Sequence, residues 1–281
     1  MKTNNCFAMM LLPAATLLLA GCQSDGLDES KDQVPITLTA TVIEDQGSLD
    51  TRASADVQST QLANGTTFAA EFTSSDVSPS SVTYTANGSG GATPTTQPYI
   101  KISSTSATVH AYCPSKPSST FSVQTDQSTD VNYKKSDLMY AMAPVMKNSS
   151  MAFGALQFSH KMAKIIVNVM PGDGVSSITA VKIIGGYRTI NVTNTTTCTL
   201  GTPLTNALST SSPITVWTGT HSSGTLICAA LIPPQTVSNK DFLQIVTNKG
   251  TLTYRLNSKI FASGGQYTFN VSVFYSNGLY A

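Results

Sequence analysis

The sequence is poor in charge. Aspartate, glutamate, lysine and arginine make up 11% of 281 residues, and the formal net charge is +1. Soluble domains usually carry about a quarter charged residues. So small a net charge gives no electrostatic reason to expect nucleic acid as a partner. Arginine is scarcer still, with Arg52, Arg188 and Arg255 the three present. Cysteine is also sparse, five in all. Two of these, Cys6 and Cys22, belong to the N-terminal segment treated below, which leaves Cys113, Cys198 and Cys228. Three thiols cannot all pair. One disulfide is open to them, the sequence does not say which, and no C-x-x-C spacing suggests zinc. Cys228, inside an apolar run, reads as a buried strand residue. Carboxylates are too thin for a calcium loop: Asp126 and Asp130 stand alone in a Ser/Thr stretch, and Asp173 sits in a Pro-Gly-Asp-Gly turn. No G-x-S-x-G nucleophile motif accompanies Asp137 or its neighbour Ser136. His110, His160 and His221 lie in separate strand contexts, and His160 reads as a buried imidazole bonded to backbone. No enzyme, metal or cofactor is expected. Trp217 is the single tryptophan. It reads as core, although with Tyr84, Tyr99 and Tyr112 it is the natural material for a sugar-stacking surface. Amphipathic helices of more than a few turns, coiled coils and short-period repeats are also missing.

What is present points to an all-β, extracellular chain. Hydrophobic residues reach 41%, enough for sizeable cores, and 19 glycines and 13 prolines punctuate the sequence. Threonine favours strands and serine favours turns. The first 21 residues read as a signal peptide: Lys2 supplies the positive start, and residues 7–19 form an apolar run. That run is shorter than the roughly 20 residues a transmembrane helix needs. It ends in Leu19-Ala20-Gly21-Cys22, which resembles a bacterial lipobox, and the Cys22 thiol is the expected site of the diacylglyceryl group. Acyl chains on a processed lipoprotein would hold it firmly in a membrane. A polar tether follows, with Asp25, Asp28, Glu29 and Asp32 just behind the lipidated cysteine. These acidic residues resemble the surface-export signal of Bacteroidetes lipoproteins.

Residues 36–42 begin the packed chain. Ile36, Leu38, Ala40 and Val42 alternate with Thr37, Thr39 and Thr41, the period-two pattern of a half-buried strand. A polar loop then leads to Arg52 and Ala53. Residues 53–150 read as a first β-domain with strands near 67–72, 81–85, 99–102, 107–112 and 121–123. A short apolar element at 136–141 is expected to end at Pro144. Residues 151–281 read as a second β-domain. The apolar parity switches near Met162, which predicts a bulge or bend there. Further strands are expected at 178–184, 190–200, 214–217, 226–232, 242–247, 251–256 and 266–275. Asn248-Lys249-Gly250 marks a hairpin.

Four motifs follow one another along the chain: Asp137-Leu138-Met139-Tyr140-Ala141; Leu156-x-Phe158-x-His160-x-Met162-Ala163-Lys164-Ile165-x-Val167; Ile232-Pro233-Pro234-Gln235; and Gly265-x-Tyr267-Thr268-Phe269-x-Val271-x-Val273. In that order they resemble fimbrillin-like proteins, the lipoprotein-derived pilins of Bacteroidetes fimbriae. The resemblance covers most of the chain. It implies two tandem transthyretin-like Greek-key β-sandwich domains after a lipoprotein signal peptide. It also implies export to the cell outer membrane as a palmitate-bearing lipoprotein on Cys22, then cleavage between Arg52 and Ala53 by an arginine-specific protease. That cut would remove residues 22–52, tether and strand together, and free a groove for a strand from another fimbrial subunit. The chain has little beyond the strand at 266–273, so an accessory or tip-like subunit is favoured slightly over a stalk subunit. A host or bacterial surface ligand is a further candidate partner. The alternative is a surface-attached lipoprotein acting as a glycan-binding module or fimbrial anchor.

Overall fold

The structure, a computed structural model, describes residues 32–43, 60–204, 207–276 and 279–280. Strands dominate it, as alternation and β-branched residues dictate. In chain order they are β1 (Gln33–Val42), β2 (Thr67–Phe72), β3 (Val77–Ser78), β4 (Ser81–Ala86), β5 (Ala92–Pro94), β6 (Tyr99–Lys101), β7 (Ala107–Cys113) and β8 (Thr120–Ser122). One short helix, α1 (Asp130–Ser136), follows, and Thr129 caps it through its side-chain oxygen. Then come β9 (Met139–Lys147), β10 (Ala152–His160), β11 (Ala163–Pro171), β12 (Ile178–Ile183), β13 (Thr189–Asn194), β14 (Thr199–Pro203) and β15 (Ile214–His221). The chain closes with β16 (Leu226–Ile232), β17 (Gln235–Thr247), β18 (Gly250–Phe261), β19 (Gln266–Val273) and the short pair β20 (Tyr275–Ser276) and β21 (Leu279–Tyr280).

Two hydrophobic cores organise these strands. The first lies within a nine-stranded sheet of order β3-β6-β1-β10-β9-β7-β2-β4-β5. That sheet curls until its far end returns to β1, where the Ala40 amide donates to the Gly90 carbonyl at 2.8 Å and Thr39 bridges Gly91. Rolling both ends inward covers one apolar face completely. The second core gathers side chains from two further sheets, β16-β11-β19 and β15-β12-β17-β18. Phe242 of β17 stacks on Phe261 of β18 and tilts against Phe269 of β19, joining the two sheets by ring contact.

The expected boundary at 150/151 falls ahead of β10. In the structure β10 pairs with β1 and β9, and its inward residues Ala152, Leu156 and Phe158 join the first core. The parity switch near Met162 is a crossing between cores. Strand β10 ends at His160, β11 starts at Ala163 in another sheet, and Met162 already packs in the second core. The return crossing runs from Leu138, in the second core, to Met139, in the first. Cys113, Met139 and His160 form one row across β7, β9 and β10, and the Lys161 amide donates to the Leu138 carbonyl at 2.8 Å.

Three local expectations change. Pro144 does not end its element but lies inside β9. It falls in the gap between the two runs of β9–β10 pairs, one at Met139 and Tyr140 and the other at Met146 and Lys147, so its missing N–H breaks neither run. The single strand expected over 190–200 is the hairpin β13–β14, turned by Asn194, whose side-chain oxygen accepts from the Thr196 and Thr197 amides. The hairpin at 248–250 forms as read, but β17 and β18 run far longer than their apolar segments alone suggest.

Candidate functional site: the first strand and its groove

The candidate site is β1 with the groove that holds it. Alternation places Val34, Ile36, Leu38, Ala40 and Val42 inward, none more than 6% exposed. On one side β1 runs parallel to β10 in an unbroken register from Ile36 opposite Ala152 to Val42 opposite Phe158. On the other side its partners come from several segments. Residues 33–35 pair with β6; the Ile36 amide donates to Pro98, the Ala40 amide to Gly90 and the Val42 amide to Thr60. The side-chain amide of Gln97 adds a bond to the Ile36 carbonyl at 2.8 Å. Strand β1 is therefore an interior strand whose inward side chains form part of the core.

The groove walls are uneven. Gly154 faces Leu38, and a Cβ added there would sit 2.9 Å from the leucine Cδ2 atom. At the other end stands an aromatic wall: Phe158 packs edge-on to Phe68, which stacks on Tyr84. The buried Tyr84 hydroxyl finds no hydrogen-bond partner, and burial pushes its pKa well above the usual phenol range. The wall residues on β10 went unrecognised as part of this site because their sequence position assigns them to the second half. The available signal was Gly154 itself, since a lone glycine in an alternating strand marks close approach by a neighbour.

Ile36, Leu38, Ala40 and Val42 all lie in β1, packed in the core. Cys22, Arg52 and Ala53 lie outside the described residues. His160 has a side-chain partner that its sequence context did not suggest: its Nδ1 sits 2.7 Å from the Asp137 carboxylate, which is almost wholly buried. The sequence separates the pair by a long strand hairpin, so only the β9–β10 register brings them together. No disulfide links Cys113, Cys198 and Cys228, which are buried free thiols. Burial, and secondarily the Asp137 charge, raises the Cys113 thiol far above its ordinary value. Burial pushes Cys198 up to about 11, partly offset by Lys161. Tyr84 and Tyr112 are fully buried and unavailable for sugar stacking; Trp217 packs half-buried against the second core. Among the described residues no three His, Cys, Asp or Glu side chains gather in a way that could hold a metal ion.

Two β cores, one completed by β1, define an all-β sandwich protein. The chain belongs to the fimbrillin-like family, whose model matches residues 31–277. Among solved structures, a candidate cell-adhesion protein from Bacteroides ovatus is similar at 16% identity and TM-score 0.62, over 88% of this chain and 94% of that one. A second, from Bacteroides uniformis, is 18% identical with TM-score 0.58, over 87% and 94%. A fimbrial protein from Bacteroides ovatus is 13% identical with TM-score 0.52, over 87% of this chain and 50% of that one. At these identities the likeness is one of fold. The comparison with curated proteins gives no match.

Proposed function

We propose that this protein is a structural subunit of a cell-surface fimbria whose first strand is a removable plug. The chain is exported as a lipoprotein on Cys22, reaches the outer membrane surface and is cut between Arg52 and Ala53 by an arginine-specific protease. Loss of the segment ahead of Ala53 takes β1 away, and a strand from a neighbouring subunit enters the groove. The observation that carries this reading is the placement of β1: an interior strand in the core, contributed by the residues just ahead of Arg52.

Physical chemistry gives the step direction. Four sizeable aliphatic side chains of β1 are buried, Val34, Ile36, Leu38 and Val42. At about 1.5–3 kcal/mol each, refilling the groove recovers roughly 6–12 kcal/mol before ordering costs. An emptied groove also bares the β10 edge, a template for strand addition. The intact chain fills its own groove and stays monomeric, so cleavage triggers assembly, and head-to-tail contacts build open filaments. The other two arginines support the choice of Arg52. Arg255 lies within the β17–β18 hairpin, bonded to Asp241 and to the Asn239 carbonyl, and the Arg188 carbonyl accepts from Val123 at the start of β13. The test is Arg52→Ala in cells. Loss of the subunit from surface filaments, with the uncut chain accumulating, is expected; unchanged incorporation would remove the maturation step.

A further inference from the structure

We infer that the groove holding β1 selects its occupant by the order of side-chain sizes along the strand, and that the partner is an extended segment of a sister subunit obeying that order. The inference rests on the strand-replacement reading above and specifies the partner it requires. Along β10 the inward residues are small at one end and large at the other: Ala152 and Gly154, then Leu156 and Phe158. In register opposite them stand Ile36, Leu38, Ala40 and Val42. The largest members of β1 face the smallest of β10, and the smallest, Ala40, faces Leu156. Three of the four register pairs thus set a large side chain against a small one, as close packing requires, and the fourth places the β-branched Val42 beside Phe158.

The fit is tightest at Gly154. The space of its missing side chain is taken by Leu38, and Val109 of β7 lies 3.4 Å from where the Cβ would be. A small residue there would leave a void walled partly by backbone, which collapses poorly. Ala40, 1% exposed, stands opposite the buried Leu156, one pair from the Phe158 that the stacked Phe68 and Tyr84 rings back, so a large residue in its place overpacks the core. Outward, the occupant is polar: Thr37, Thr39 and Thr41 face away from the core, and the Thr41 hydroxyl donates to the Leu156 carbonyl at 3.2 Å. The segment that fits therefore reads large aliphatic, leucine-sized, small, β-branched at alternate positions, with hydroxyl residues between, and it lies parallel to β10. A one-residue slip would turn every apolar side chain outward. A two-residue slip would set the small residue against Gly154.

The test has an arm within the chain and an arm between chains. In the full chain, Leu38→Ala combined with Ala40→Leu keeps composition and hydrophobicity but reverses the size order. Amide exchange in β1 is expected to accelerate about a hundredfold while β12 and β17 keep their protection. For the second arm, the wild-type chain is treated with an arginine-specific protease and offered two synthetic peptides spanning residues 33–42. One has the native order and the other has Leu38 and Ala40 exchanged. The native peptide is expected to be retained through gel filtration about a hundredfold more tightly than the exchanged one. Equal protection in the full chain, or equal retention of both peptides, would overturn the size rule. If the full chain discriminates and neither peptide is retained, strand replacement falls while the size rule stands for the chain's own strand.

Discussion

Replacing His160 with alanine removes the hydrogen-bond partner of a buried carboxylate at the point where the chain crosses between its two cores. Asp137 is 1% exposed and His160 14%, with 2.7 Å between Nδ1 and Oδ1. The other Asp137 oxygen, Oδ2, is buried without a hydrogen-bond partner. Truncating the imidazole therefore strands a carboxylate with few means of satisfaction. Breaking such a pair from one side costs about 3–5 kcal/mol. The comparison is Lys101 with Asp76, 3.6 Å apart and 53% and 37% exposed, where screening leaves about 0–1 kcal/mol. For a chain of this size about 1 kcal/mol moves the melting temperature by roughly 2–4 °C. His160→Ala should then melt roughly 6–20 °C lower, and Lys101→Ala within a few degrees of wild type. Urea unfolding gives the free energies directly, provided the slope is unchanged. Asp137→Asn, which removes the charge together with its need, should cost less than His160→Ala. If His160→Ala destabilises no more than Lys101→Ala, the buried Asp137–His160 contact contributes little and the reasoning fails.

Other outcomes follow from the same geometry. Gln127 is fully buried, and its amide both donates to and accepts from the backbone of Leu231 on the edge strand β16. Gln127→Leu leaves both backbone groups unpaired and should cost about 2–6 kcal/mol in urea unfolding, since each unmet group costs about 1–3 kcal/mol. Leu38→Ala should cost about 2–5 kcal/mol, toward the upper end because Gly154 offers no side chain to fill the void; a loss under 1 kcal/mol would show that β1 contributes little to the core. The three buried thiols should resist alkylation in the native state and react together on unfolding. Because burial raises the folded Cys198 pKa to about 11 from an ordinary 9.0, the unfolded chain loses that proton first as pH rises. Stability should be unaffected by this group below pH 9, and should fall as pH climbs toward 11. A rise in stability across that window would contradict the assignment.

Much of the fold was legible because alternation is a local signal. Residues 36–42, 67–72 and 226–232 announce inward and outward faces without reference to any partner. The switch of parity near Met162 was legible too, but its meaning was not. A strand that turns its other face and a chain that passes from one core to the next leave the same trace in sequence. For that reason β10 reads as the opening of the second half, although it is the wall on which β1 packs. Pro144 misled for a different reason: a proline stops a strand only where its N–H is required, and need depends on a neighbour the sequence does not show. The residues of β1 were identifiable as a site, but the complementary sizes of Ala152, Gly154, Leu156 and Phe158 become visible only with the register in place. The Asp137–His160 pair was hidden by the same kind of long-range pairing.

In the proposed maturation, everything ahead of Ala53 leaves the subunit before it enters a filament. Intact mass and N-terminal sequencing of the protein recovered from sheared surface filaments test this most directly. A single chain beginning at Ala53 is expected, with no lipid and no residue of β1. Filament-bound protein that begins at a lipidated Cys22 and still carries residues 33–42 would contradict it.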